Sequence, residues 1–177
     1  MHSHLSLVNQ KLGFATVTLS PLENLTEMEA GKLSLVQKAT CESVLLHLYT
    51  AFHFYLRELA ESNGIKNPET IDSLQALVTA LNQLERQPSE VIELQDLAAY
   101  QGGWLNSFLR QYEGVFKSPP KETEKKSFGT ENFIELVDLT EQQEESLDKA
   151  LNIGSLKYWL NEFKSLVLRQ RETGAEY

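Results

Sequence analysis

Apolar residues recur along this chain at helical spacing almost from its start. Leu5, Val8, Leu12, Ala15, Leu19 and Leu22 follow one another at intervals of three and four, which places them on one face of an α-helix. Pro21 falls inside that pattern. Proline removes an intrahelical donor and clashes with the preceding turn, so a break or kink is expected at Ser20-Pro21, followed by a second helical piece through Leu25 and Met28 up to Gly31. From about Lys32 to Ser62 the pattern predicts the central helix. Val44, Leu45, Leu48, Tyr49, Ala51, Phe52, Tyr55, Leu56, Leu59 and Ala60 fill a sector about half the circumference wide, and so broad a face implies contact with more than one neighbouring helix.

Asn63-Gly64 supplies the left-handed stop expected at a helix end. Asn67-Pro68-Glu69 then offers an N-cap, a proline at the first helical position and an acid in the first turn. Ile71, Leu74, Leu77, Val78, Leu81 and Leu84 predict a helix from Pro68 to Gln87, stopped by Pro88. Ser89 is placed to cap the next one, whose stripe of Val91, Leu94, Leu97, Ala98, Trp104, Leu105, Phe108 and Tyr112 ends near Phe116. Gly102-Gly103 interrupts it. Because the stripe keeps its phase across the glycines, close packing or a kink is expected there and not a true break.

Residues 117–130 carry Pro119-Pro120 and a charge run with no apolar periodicity, the composition of a mobile loop. Residues 133–139 read equally as a short strand or an extended strap across the bundle. Thr140-Glu141-Gln142-Gln143 matches a capping box and predicts a short acidic helix to about Leu151. After Ile153-Gly154-Ser155, a last helix presents Leu156, Trp159, Leu160, Phe163, Leu166 and Val167 on one face and frays from Arg169 to Gly174. The whole predicts an all-α fold, an up-and-down helical bundle of four long core helices with one or two short ones, in a single domain over 1–177.

Composition narrows the function classes. Sixteen Lys and Arg against 25 Asp and Glu give a net charge of −9, which repels a polyanion, so no nucleic-acid partner is expected. The acidic surplus lies between residues 64 and 150, while the last helix is slightly positive. The longest apolar stretch, Val44 to Leu56, is too short and too interrupted to span a bilayer, and Met1-His2-Ser3-His4 lacks the basic start and apolar run of an export signal. Together with a lone cysteine, Cys41, these features lead to an expected cytoplasmic location and no membrane partner.

Candidate chemistry is sparse. His47, Thr50, Arg57 and Glu61 form a polar edge on an otherwise apolar helix. If that edge faced a cleft, His47 could serve as acid or base and Arg57 could hold an anion, which makes His47, Thr50 and Arg57 the candidate ligand-binding residues; the competing reading is an ordinary solvated edge. No Glu lies three residues before His47 or His53, as a helical di-metal site requires, and no His-Glu-x-x-His run occurs, so no metal ligands are assigned. His2 and His4 read as an unordered terminal pair. Cys41 lies within a helix beside Glu42, without the cationic setting of a nucleophile, and reads as a buried structural residue. Phosphate-cradling glycine loops are absent, so no cofactor is expected. No catalytic residue is assigned. Helical nucleases of the HEPN type place an Arg four to six residues before a His on one helix, whereas His53 here precedes Arg57. Arg169 and Arg171 suit a helix C-terminus. The aromatics Tyr49, Phe52, Tyr55, Trp104, Phe108, Trp159 and Phe163 read as core, with a subset available to line a groove for a partner.

Asn9-Gln10-Lys11-Leu12 in the first helix, Leu46-His47-Leu48-Tyr49 in the central one and Arg169-Gln170-Arg171-Glu172 in the last give the chain a further bearing. In these segments it resembles a family of uncharacterised short helical proteins of gammaproteobacteria, a domain of unknown function. The resemblance implies a bacterial, cytosolic, helical protein and no activity. The expectation is therefore a non-catalytic protein that binds a protein partner or itself. An enzyme or small-ligand-binding bundle using the polar edge of the central helix is the alternative.

Overall fold

The computed structural model describes residues 3–22, 35–117 and 151–174. Among these it contains six α-helices and no strand: α1 (His4–Leu19), α2 (Leu35–Ser62), α3 (Leu74–Gln83), α4 (Ser89–Ala99), α5 (Trp104–Gly114) and α6 (Ile153–Gly174). The all-helical class agrees with the stripes. Apart from Lys117 and Leu151, the expected loop at 117–130, the undecided segment 133–139 and the capping-box helix lie outside the described residues, as does the helical piece at Leu25–Met28.

Two helix ends have a plain local reason, the first turn of α1 and the end of α2. Ser3 caps α1 by accepting the Ser6 N–H at 3.3 Å, and α1 gives way at Pro21 to the single 3-10 turn Ser20–Leu22. Asn63 closes α2 by donating its side-chain amide to the Leu59 carbonyl at 2.8 Å, and Gly64 adopts φ +77°, the left-handed conformation that stops a helix.

The structure differs from the sequence reading at two helices. The helix expected from Pro68 to Gln87 starts only at Leu74 and ends at Gln83. Pro68–Thr70 is a 3-10 turn, and Ser73, not Asn67, caps α3 by accepting the Ala76 N–H at 3.2 Å. The reason lies on α2. Arg57 donates to the Glu69 and Ile71 carbonyls at 3.0 and 3.1 Å, and His53 Nε2 reaches the Ile71 carbonyl at 3.0 Å. Those acceptors are turned toward α2 and cannot carry a helix upward. Ser89 is likewise no cap: Pro88 holds the cap position, and the Ser89 hydroxyl donates to the Glu90 carboxylate at 3.1 Å.

The second difference is a full break at the paired glycines, where continuity was expected. α4 ends at Ala99 and α5 starts at Trp104. Gly102 has φ +81°, outside the helical range, and a Cβ on Gly103 would stand 2.7 Å from Tyr100 Cδ1 and 3.0 Å from the Tyr100 carbonyl oxygen. Asn106 donates to the Ala98 carbonyl at 2.7 Å, satisfying an acceptor that a continuous helix would have used itself. The expected fourth long helix is thus two shorter ones, and the long described helices are α1, α2 and α6.

α2 is the centre of the packing. It buries Cys41, Val44, Leu45, Leu48, Ala51, Phe52, Tyr55, Leu56, Leu59 and Ala60. α1 lies antiparallel to it, with His4 beside Glu61 at one end and the Phe14 ring against His47 toward the other. α6 runs parallel to α2, bringing Phe163 onto Phe52 and Tyr55. α5 runs antiparallel to both, with Phe108 against Phe52 and Trp159, and Trp104 against Phe163. The core is a chain of ring contacts crossing three helices, and each fully buried side chain of this size contributes about 1.5–3 kcal/mol.

Polar clasps fix the helices lengthwise. His4, expected in an unordered terminus, is buried, with its ring nitrogens 2.9 Å from Glu61 Oε2 and 3.1 Å from Glu69 Oε1. Arg171 pairs with both oxygens of Glu58 at 2.7 Å and with Asn9 at 2.9 Å, joining α6, α2 and α1. Arg169 pairs with Glu93 of α4. The two arginines read as C-terminal complements therefore act as tertiary clasps, and α6 stays helical to Gly174.

Candidate functional site

The sequence-chosen residues are used separately. His47 is half-buried, with its ring edge-on to Phe14 at 5.6 Å, and burial followed by the nearby Lys11 cation holds its pKa below the usual histidine range. Thr50 donates its hydroxyl to the Leu46 carbonyl at 2.7 Å, within its own helix. Arg57 is turned to the 3-10 turn, where its remaining nitrogen meets Glu69 Oε2 at 3.0 Å, and its cation sits 6.0 Å from the Phe54 ring centre. Glu61 holds His4. The edge thus meets α1 at His47 and the turn after α2 at Arg57.

The adjoining edge of α2 does face a cleft. A cavity of about 620 Å³ opens between α2, α3, α4 and α5, and none of His47, Thr50 or Arg57 lines it. Its floor comes from Tyr49, Phe52, His53 and Leu56 of α2 and Leu109 and Tyr112 of α5. These positions follow from the broad apolar sector of α2: after α1 and α6 have covered part of it, Tyr49 and His53 remain half-buried on the side toward α5. α3 and α4 form the walls, with Leu74, Val78 and Ala98.

Tyr49 and Tyr112 stack with ring centres 3.4 Å apart and planes 6° from parallel. His53 stands edge-on to Tyr49 at 6.5 Å. The carbonyl of Ile71 only accepts, so His53 Nε2 carries the hydrogen of that bond. The Tyr49 hydroxyl is raised above the ordinary phenol range, first by burial, then by Tyr112 and the carboxylates of Glu113 and Asp72. Around the mouth stand three exposed carboxylates from three elements: Asp72 before α3, Asp96 on α4 and Glu113 on α5. Ser73, Gln75 and Gln95 add neutral polar groups, and no Lys or Arg is among the lining residues.

The arrangement offers stacked ring surface at depth and negative charge at the rim. Among the described residues, no three His, Cys, Asp or Glu side chains gather as a metal-binding group. Cys41 is buried, and burial followed by Glu42 pushes its thiol up, away from the reactive thiolate. A smaller hollow of about 250 Å³ lies alongside, sharing Val78 and Gln95 with the cleft and including Arg86, whose guanidinium is already given to the Asn63 carbonyl.

Sequence reasoning placed Tyr49 and Phe52 in the core and reserved a subset of the aromatics for a groove. It missed the cleft because Asp72, Asp96 and Glu113 come from separate elements and converge only through tertiary packing. The one signal available was that Tyr49 and His53 lie at the margin of the apolar sector of α2, where a neighbour covers a side chain only in part.

Among the described residues, no helix is long and apolar enough to cross a membrane. The model of a family of unknown function, DUF6586, matches residues 1–177. No curated protein and no solved structure matches.

Proposed function

Since the chain belongs to DUF6586, a family of unknown function, we propose its role from geometry: it acts by binding, without chemistry, and the cleft between α2, α3, α4 and α5 holds its ligand. The observation that carries this reading is the cleft itself. Its volume of about 620 Å³ falls within the range of small-molecule sites, and its lining joins an apolar and aromatic floor to carboxylate, amide and hydroxyl groups. The test is a thermal-shift screen of small organic compounds on the intact chain and on an Ala98→Trp variant that fills the cleft. Compounds that raise Tm in the parent and not in the filled variant are expected. A screen without hits, or hits of equal size in both proteins, overturns the reading.

A second reading, association with a protein partner or a second copy, is supported by large apolar side chains that face outward. Val17, Leu35 and Val36 are 73%, 83% and 74% exposed, at the end of α1 and the start of α2. Its homo-oligomeric form is checked by light scattering on the parent and on Leu35→Ser with Val36→Ser; a monomeric mass in both removes it. A bacterial cytoplasm is the setting we propose for either role, supported by the resemblance noted above and by a single cysteine that is buried and unpaired.

A further inference from the structure

We propose that the ligand of the cleft is a small organic cation, an alkylammonium or guanidinium group carried on an apolar or aromatic body. This rests on the reading of the cleft as a ligand site and adds the chemical class.

The charge of the site decides the sign. Asp72, Asp96 and Glu113 stand at the mouth, and no Lys or Arg lines the cleft to neutralise them. Among the described residues, none of the three carboxylates lies in an ion pair; Asp72 accepts only a hydroxyl hydrogen bond, from Ser73 at 3.0 Å. An anionic ligand would meet three like charges, and a neutral one would crowd them without pairing them. Inside, the Tyr49 phenol is raised first by burial, then by Tyr112, with Glu113 and Asp72 adding to it. A net charge of −9 adds long-range attraction for cations of any kind.

The floor decides between an organic cation and a metal ion. A hard divalent cation needs six or more oxygens drawn inward, whereas these carboxylates are exposed on three different elements and no metal-binding group gathers among the described residues. Beneath them lie Tyr49, Tyr112 and Phe52, ring surface that a bare ion cannot use. An organic cation uses both parts: its body covers the rings, and its charge lies within reach of the ring faces and the rim carboxylates. The volume of about 620 Å³ is that of a site for a whole small molecule.

The experiment holds the body constant and varies the charge. Tryptamine, its neutral counterpart tryptophol and the anionic indole-3-propionate are titrated into the full chain by calorimetry, and again into Asp72→Asn/Asp96→Asn/Glu113→Gln, with circular dichroism confirming the fold of the variant. Tryptamine is expected to bind about tenfold more tightly than tryptophol, with no detectable binding of the propionate, and the advantage of tryptamine over tryptophol should vanish in the triple variant. The inference is overturned if tryptophol or indole-3-propionate binds as well as tryptamine, if the preference survives in the triple variant, or if none of the three binds. In the first case with tryptophol or the propionate bound in the parent and lost in Ala98→Trp, the cleft remains a ligand site and the charge class alone falls. Compounds of other classes that pass the thermal-shift comparison separate the two claims in the same way.

Discussion

Arg57 shows how far a single residue's role depends on where the chain turns next. In the sequence it is a cation on the edge of an apolar helix, available to hold an anion. In the structure its guanidinium donates to two backbone carbonyls and to the Glu69 carboxylate, fixing the turn that delivers Asp72 and α3 to the wall of the cleft. Arg57→Met takes the side-chain donor from the Glu69 carbonyl and leaves the Ile71 carbonyl with His53 alone, and we expect a loss of about 2 kcal/mol in urea denaturation. Arg57→Lys should recover less than half, because an ammonium cannot span the same three acceptors. Recovery to parental stability by lysine would show that the charge, not the fork of donors, matters there. Arg171 and Glu58, the next residue along α2, form a comparable pair between α2 and α6. Their side chains are 21% and 15% exposed, so this pair is shielded enough for a double-mutant cycle to register a coupling of about 1–3 kcal/mol. A coupling near zero would reduce it to a surface contact. Of the candidate site, the sequence disclosed the residue types without their grouping. The rings of Tyr49 and Phe52 were legible as apolar positions, but that α5 would stack Tyr112 on Tyr49 depends on how α5 packs, and no local pattern encodes that.

At the scale of elements, the heptad-like spacing was a dependable guide to faces and a poor one to ends. Val8, Leu12, Ala15, Leu19 and Leu22 are buried as their spacing requires, although Leu5, on the same stripe, is 45% exposed. The ten positions buried on α2 all came from the sector or from Cys41 just before it. What failed was the assumption that an unbroken stripe means an unbroken helix. Leu97, Ala98, Trp104 and Leu105 keep phase across Gly102-Gly103, yet the backbone leaves the helical range at Tyr100, with ψ 105°, Gly102 takes φ +81°, and α5 starts anew at Trp104. Periodicity reports which side of a residue is apolar, and two short helices packed on one core can share that signal. Gly102→Ala tests the distinction. A residue with a Cβ at φ +81° is strained, so a loss of about 1 kcal/mol is expected in urea denaturation, with no gain in helix content by circular dichroism. A stabilised variant with more helix would mean that α4 and α5 join in solution. The break also matters for the site, because Asp96 and Glu113, one on each helix, reach the same mouth only if the chain turns between them.

For the molecule as a whole, the titrating groups bracket a window of stability. On the acid side, the Arg169 hydrogen bond, with that of Gln170, holds the Glu93 carboxyl below its usual range, and burial with Lys11 does the same for His47. A group whose pKa is lower in the folded state binds protons better when unfolded. The stability it gives is therefore present above its unfolded pKa and lost as pH falls, from about 6.5 for His47 and from about 4.3 for Glu93. On the alkaline side the direction reverses. Burial raises the Tyr55 phenol strongly, helped by Glu58 and opposed by Arg171, and burial also raises the Tyr49 phenol and the Cys41 thiol. Unfolding releases those protons more readily, so stability is full below the unfolded pKa values and lost as pH climbs past about 8.5 for the thiol and about 10 for the phenols. The urea midpoint of the intact chain is accordingly expected to be highest between about pH 7 and 8 and to fall on both sides. Tyr55 is the residue through which this can be assigned. Its hydroxyl donates to Gln170 Oε1 in the core, while the Gln170 amide reaches Glu93 Oε2 at 2.7 Å, so one buried glutamine joins the group that dominates the alkaline limb to one that shapes the acid limb. Tyr55→Phe should lower the midpoint at neutral pH by leaving Gln170 short of a donor, and yet flatten the decline above pH 10, because the replacement has no proton to lose. A variant whose alkaline decline runs parallel to that of the parent would show that the limb belongs to the rising net negative charge of the whole protein and not to the buried phenol.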